Sequence, residues 1–182
     1  MFSKRIIRAV ARGVRDSLSP SEADSRSWMV VDNLLSLDIA CANSFFVYMS
    51  KGREVCTSGL ISKLLGAGKT VAVPKVMDSK IMEPYILTRL DQLSAGAYGI
   101  LEPNTARYEG SIDVCIVPGV IFDARGGRIG QGKGYYDRFL SANDVGISVG
   151  MAYSFQVVPK LPLDRNDALL DMIVTESKVF RR

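Results

Sequence analysis

Residues 118–140 read PGVIFDARGGRIGQGKGYYDRFL, and the five glycines between Gly126 and Gly134 decide how the chain is understood. Just ahead, Ile112-Asp113-Val114-Cys115-Ile116-Val117 is an apolar run of buried-strand character. Just behind, Tyr135-Tyr136-Asp137-Arg138-Phe139-Leu140 opens a helix. Strand, glycine-rich turn and helix together make a phosphate site. Glycine lets the backbone reach conformations closed to other residues and approach an anion. The free N–H groups of the helix start then point at it. Arg128 and Lys133 add positive charge, and Asp137 is placed to hold a metal.

Gly127 to Lys133 fits G-x-x-x-x-G-K, but position 134 is Gly where a P-loop carries Ser or Thr for magnesium. Gly130-Gln131-Gly132-Lys133-Gly134 also departs from the dinucleotide fingerprint G-x-G-x-x-G. A mobile surface loop with solvated charges is the alternative. Alternating glycines around two cations favour phosphate binding.

Composition narrows the chemistry. The 182 residues suffice for one domain, taken as 1–182, with a sizeable core. Lys and Arg total 23 against 19 Asp and Glu, a net charge of +4. That balance suits anionic small molecules and is too weak to argue for nucleic acid. The chain has no histidine, which excludes histidine bases, Ser-His-Asp triads and histidine-ligated metals. Cys41, Cys56 and Cys115 are odd in number and widely spaced, so neither zinc nor a disulfide framework is expected. Cys115 reads as a small core residue. The pattern fits a reducing compartment, here the cytoplasm. No apolar run is long enough to span a membrane.

Residues 3–18 read as a basic helix with Ile6, Ile7, Val10 and Val14 on its buried side. An Arg-rich transit peptide is the alternative for this segment. Ser19-Pro20-Ser21-Glu22 has the signature of a helix start, and Trp28 on the following helix reads as core. Strands are expected at 45–49 and at 70–73, the latter stopped by Pro74. Met82–Leu87 reads as an edge strand because of Pro84, 91–103 as mostly turn, and 147–152 and 172–174 as further strands. Thr57 reads as the cap of a helix through Leu60, Ile61, Leu64 and Leu65. Strands alternating with helices predict an α/β domain with a largely parallel sheet.

Lys4, Arg5, Arg8, Glu54, Lys75, the Arg128–Asp137 loop and Asp167 are the candidates for chemistry. Cations outnumber carboxylates and no activated nucleophile is visible. That inventory suits phosphoryl transfer by positioning and charge neutralisation.

These residues resemble the 5-formyltetrahydrofolate cyclo-ligase (methenyltetrahydrofolate synthetase) family over nearly the whole chain. The resemblance rests on Pro118-Gly119, Phe122-Asp123 and Gly127 through Asp137. Supporting matches are Lys4 to Arg8, Glu54 to Thr57, Gly68-Lys69 with Val73-Pro74-Lys75, Gly96 through Pro103, and Asn166-Asp167. It implies a three-layer α/β/α sandwich around a largely parallel mixed sheet, akin to sugar-phosphate isomerase and CoA-transferase domains. It implies an ATP- and Mg2+-dependent cyclisation of 5-formyltetrahydrofolate to 5,10-methenyltetrahydrofolate, with ADP and phosphate released through a phosphorylated formyl intermediate. The partners would be ATP and the folate, with no nucleic acid and no membrane, acting on a monomer.

The resemblance also implies roles. Lys4, Arg5 and Arg8 would contact ATP phosphates, as would Arg128 and the loop Gly130, Gln131, Gly132, Lys133, Gly134, Tyr135 and Tyr136. Lys133, Arg128 and Tyr135 would be catalytic, with Lys133 stabilising the transferring phosphoryl group. Met49, Glu54, Gln131 and Tyr135 would bind the folate, Tyr98 would line its pocket, and Asp137 and Asp167 would hold magnesium. Relatives often carry another polar or basic residue at position 131. Three other readings remain: a folate- or nucleotide-binding protein without turnover, a sugar-phosphate isomerase-like enzyme, and a nucleic-acid binder.

Overall fold

The apolar run at 112–117 is the middle strand of a seven-stranded sheet. The computed structural model describes residues 3–78, 81–96 and 99–182. The first half of the chain carries α1 (Lys4–Asp16), α2 (Pro20–Leu35), β1 (Ser44–Val47), α3 (Ser58–Gly66), β2 (Thr70–Val76), β3 (Met82–Leu87), β4 (Leu93–Ala95) and β5 (Leu101–Pro103). The second half carries β6 (Ile112–Val117), β7 (Ile121–Asp123), β8 (Arg128–Ile129), α4 (Tyr135–Ala142), β9 (Val145–Met151), β10 (Val157–Val158), β11 (Met172–Val174) and β12 (Val179–Arg181).

The large sheet runs in the order β12-β11-β9-β6-β1-β2-β3. Its five inner strands are parallel. The edges β3 and β12 are antiparallel. Strand alternation splits the core in two. Phe45, Val47, Val71, Val73, Val114 and Ile116 face α2 and α3. Phe46, Ala72, Cys115 and Val117 face the other side with Phe139 of α4 and Phe122 of β7. Rings of Phe46 and Phe139 lie 4.6 Å apart there. The result is a three-layer α/β/α arrangement with a largely parallel sheet. Burial pushes the Cys115 thiol up to about 12, as expected of an inert core cysteine.

From β1 the chain passes through α3 to β2 on one side, then returns to β6 on the other. The strand order therefore reverses between β1 and β6. In open α/β sheets the crevice beyond the carboxyl ends at such a point is where ligands bind.

Several local expectations are corrected. Ile6, Val10 and Val14 are exposed, because α1 turns its basic face inward and its apolar face out. Trp28 is half exposed. The buried face of α2 is Ala23, Ser27, Val30, Val31 and Leu34, and the outer edge of the Trp28 ring lies against Gly59, where an added Cβ would come within 2.6 Å. Pro74 does not stop β2. It lies opposite Pro84, whose carbonyl accepts from Tyr108 on the far side, so the ladder asks neither proline for an N–H. Thr57 occupies the cap position of α3, but its hydroxyl donates to Tyr48 O at 2.7 Å and caps nothing. Within 91–103, β4 and β5 pair as a small antiparallel ribbon. The final edge strand β12 was not expected. The capping box at Ser19 and Glu22 is formed as its sequence predicts.

Candidate active site

The glycine-rich stretch is not a single turn between strand and helix. It first folds into a hairpin, β7–β8, which joins β10 in a second small sheet. Asp123 fixes the hairpin. Its buried carboxylate accepts from the backbone N–H of Arg125 (3.0 Å), Gly127 (2.9 Å) and Leu161 (2.9 Å). Burial pushes this carboxyl up, but these hydrogen bonds outweigh burial and hold it below the usual aspartate range. Gly126 takes φ +89°, and a Cβ there would meet Leu170 O at 2.1 Å. Only after this hairpin does the loop 130–134 lead into α4, with Gly134 in the left-handed region (φ +68°) at the N-cap.

Around this loop lies a cavity of about 980 Å³ at the reversal point of the sheet. Tyr48 and Met49 after β1, and Pro118 and Gly119 after β6, line it. The loop Gly130–Tyr136 and Glu54 also line it. Lys4, Arg8, Arg12 and Arg15 of α1 also line it. Their spacing of four, four and three residues puts all four on one helix face.

α1 clasps the loop through these cations. Arg8 Nε donates to Gly130 O at 2.7 Å, and Arg12 donates to the Gln131 side-chain oxygen. Lys4 pairs with Asp167 and, at 2.7 Å, with Asp164. Burial lowers the Lys4 pKa, but these two hydrogen bonds and charges outweigh it and the net shift is upward. Gln131 Nε2 in turn donates to Glu54 Oε1 at 3.2 Å. Tyr135 Oη donates to Asp78 O at 2.9 Å and ties the start of α4 to the β2–β3 turn.

Arg128 sits behind the loop with its side chain 4% exposed, 3.0 Å from Asp137 Oδ1. Burial lowers its pKa, and the Asp137 charge opposes that. The Tyr136 ring lies 5.9 Å from its guanidinium, and burial holds the Tyr136 hydroxyl well above its ordinary pKa. Among the described residues, the buried side-chain N and O atoms without a hydrogen-bond partner are Arg12 Nε, Arg15 Nη1, Arg128 Nε and Tyr136 Oη. All four residues line this cavity. Proteins pair nearly all such atoms, so among the described residues their concentration marks this cavity as a place where polar capacity is held in reserve. Three of the four are guanidinium donors, which suits an anionic occupant.

Among the described residues no three Cys, Asp or Glu side chains gather as a metal cage. Of the carboxylates that line the cavity, Asp137 and Asp167 each have one oxygen engaged by the hydrogen bonds of the site. Asp137 Oδ1 accepts from Arg128 and from Ala168 N. Asp167 Oδ2 accepts from Lys4 and from Asp164 N. One or two carboxylates supplemented by phosphate oxygens is the donor set that suits magnesium, which keeps most of its remaining shell as water.

The structure brings together Lys4, Arg8, Met49, Glu54, Arg128, Asp137, Asp167 and the loop from Gly130 to Tyr136. Arg5 falls outside, exposed on the neighbouring face of α1, about 100° round the helix from Lys4. Lys75 also falls outside. Pro74 and Val76 face the cavity, so Lys75 points to the opposite face of β2, with its ammonium 4.9 Å from the Tyr85 ring. Tyr98 lies outside the described residues. Arg12, Arg15, Tyr48 and Glu102 line the cavity without having been singled out. The continuation of the Lys4–Arg8 spacing to Arg12 and Arg15 was the available signal for two of them.

A family model described as the 5-formyltetrahydrofolate cyclo-ligase family matches residues 1–176. A Schizosaccharomyces pombe protein named probable 5-formyltetrahydrofolate cyclo-ligase is 31% identical over 202 residues, spanning 99% of this chain and 98% of its own. The Saccharomyces cerevisiae 5-formyltetrahydrofolate cyclo-ligase is likewise 31% identical, over 96% of this chain and 95% of its own. The solved structure of Aquifex aeolicus 5,10-methenyltetrahydrofolate synthetase superposes with a TM-score of 0.88 at 37% identity, covering 98% of this chain and 92% of that one. With the glycine-rich loop, its hairpin and the cation-lined cavity all inside the matched span, the chain belongs to the 5-formyltetrahydrofolate cyclo-ligase family.

Proposed function

We propose that this protein is a 5-formyltetrahydrofolate cyclo-ligase whose cavity binds ATP and 5-formyltetrahydrofolate together and uses the first to close a ring in the second. The observation that carries the reading is the gathering of buried guanidinium donors without hydrogen-bond partners, from Arg12 and Arg128, around one cavity beside a glycine-rich loop. Membership of the family supports the reaction type.

The chemical problem is a poor leaving group. The N5-formyl oxygen behaves as an amide oxygen. Its attack on the γ-phosphorus of ATP forms an O–P bond, breaks the bond to the ADP oxygen and leaves the formyl carbon electrophilic. N10 then attacks that carbon and loses its proton. The C–O bond breaks, inorganic phosphate departs, and the 5,10-methenyl bridge remains.

The chain's part is to hold two polyanions in line and to neutralise charge. Lys4 and Arg8 bring α1 to the phosphates. The N–H groups of loop 130–134 and the start of α4 cradle them. Lys133 follows the developing charge on the transferring group. Arg128, held by Asp137, supports the loop from behind. Met49 and Tyr135 offer apolar surface to the pterin, and Glu54 accepts hydrogen bonds from its amidine-like edge. Asp137 and Asp167 are the residues that would hold magnesium, which would supply positive charge against the phosphates.

The test is spectrophotometric. Purified protein mixed with 5-formyltetrahydrofolate, ATP and magnesium should develop the near-ultraviolet band of the conjugated methenyl product, and only when all three are present. No band, with ATP binding retained, would favour a binding protein without turnover.

A further inference from the structure

Arg15 ends the basic face of α1 and lies deepest of its four cations, with its side chain 7% exposed. Its Nε donates to Asp16 Oδ1 at 3.2 Å. Its Nη1 makes no hydrogen bond and faces Glu54 Oε1 at 3.6 Å. Asp16 is the nearer carboxylate, but its side chain is 56% exposed, whereas that of Glu54 is 14% exposed. Water screens the first pair far more than the second, so Glu54 is the counter-charge that a buried guanidinium needs.

Glu54 lies in the connection between β1 and α3, outside helix and strand. Its side-chain direction is therefore set by what binds the carboxylate. Lys51 N donates to Oε2 at 3.0 Å. Oε1 faces Arg15 and accepts from Gln131, whose own oxygen accepts from Arg12. Arg12 and Arg15 are neighbours on one helix face, so the four side chains close a circuit from α1 through the loop to Glu54 and back.

We infer that Arg15 is a positioning residue for the folate half of the site: its ion pair with Glu54 aims that carboxylate at the pterin. The inference rests on the role given to Glu54 above. It divides the labour of α1, with Lys4 and Arg8 serving the nucleotide and Arg15 serving the folate through Glu54.

The experiment compares R15M, R15K, E54Q and the R15M/E54Q double variant in the full-length enzyme. The readouts are the KM for each substrate, kcat and the melting temperature. R15M should raise the folate KM at least tenfold and leave the ATP KM within twofold, and R15K should recover most of the loss. The double variant should be no worse than E54Q alone, because the two residues act as one unit. If R15M fails to fold, R15K and R15Q carry the same comparison. A parallel rise in both KM values, a loss of melting temperature with both KM values unchanged, or multiplicative effects in the double variant would overturn the inference. E54Q with a raised folate KM beside an unchanged R15M would overturn it alone. E54Q with an unchanged folate KM would overturn the Glu54 reading as well.

Discussion

Arg8 Nε donates a 2.7 Å hydrogen bond to the carbonyl of Gly130, joining the first helix to the glycine-rich loop across 122 residues of sequence. Arg5, three residues earlier in the same basic cluster, is exposed and outside the cavity lining. Arg8→Ala should therefore raise the ATP KM at least tenfold, a loss of about 1.4 kcal/mol. Arg5→Ala should leave it within twofold. Steady-state kinetics on both variants checks this, and equal effects would deny the helix its orientation.

Asp137 has two tasks that substitution can separate. Its Oδ1 balances Arg128, whose side chain is 4% exposed, and removing one partner of such a pair costs on the order of 3 kcal/mol. Asp137→Ala should lower both the melting temperature and turnover. Asp137→Asn keeps an oxygen for Arg128 but loses the charge that a metal needs. It should melt closer to the parent while magnesium-dependent turnover falls about a hundredfold. Thermal melts alongside magnesium titrations distinguish the two, and full turnover in Asp137→Asn would remove this residue from the metal site.

The hairpin pin at Asp123 predicts a pH signature. Its folded pKa lies below the ordinary aspartate value of about 3.9 because three backbone N–H groups hold the ionised form. A carboxylate of lowered pKa contributes stability that is present above that ordinary value and is lost as pH falls through the folded one. Asp123→Asn should therefore destabilise the protein at pH 7, and the gap from the parent should shrink as pH falls below about 4. Urea melts at several pH values measure it; a gap that stays constant would mean the charge is unimportant.

Gly126 sits at the same turn with φ +89°, facing the Leu170 carbonyl. Gly126→Ala adds both backbone strain and a clash with main chain that has no rotamer to adjust. A loss of about 2–3 kcal/mol is expected, read by chemical denaturation. A variant as stable as the parent would contradict the local geometry.

The sheet was legible because buried parallel strands are written as apolar β-branched runs, and 112–117 is the plainest of them. The loop was legible because its residues are contiguous. α1 was half legible. Its Lys4 and Arg8 stood out, but apolar residues were assigned inward as helices usually require. Here the cavity reverses the rule and draws Arg12 and Arg15 inside. Trp28 misled for a related reason, since a small Gly59 on the facing helix leaves room for a large ring to pack at the surface. Lys75 was placed at a strand end because Pro74 reads as a stop, and a proline facing a proline hides from that logic. The Arg15–Glu54 pair joins residues 39 positions apart on separate elements, and no local pattern announces it.

The measurement closest to the central claim follows an oxygen atom. 5-Formyltetrahydrofolate labelled with 18O in the formyl group is turned over with unlabelled ATP and magnesium, and the released inorganic phosphate is analysed by mass spectrometry. Phosphorylation of the formyl oxygen predicts one labelled oxygen in each phosphate, in step with methenyl product. Unlabelled phosphate accompanying product formation would contradict the account, because ATP hydrolysis and ring closure would then be separate events.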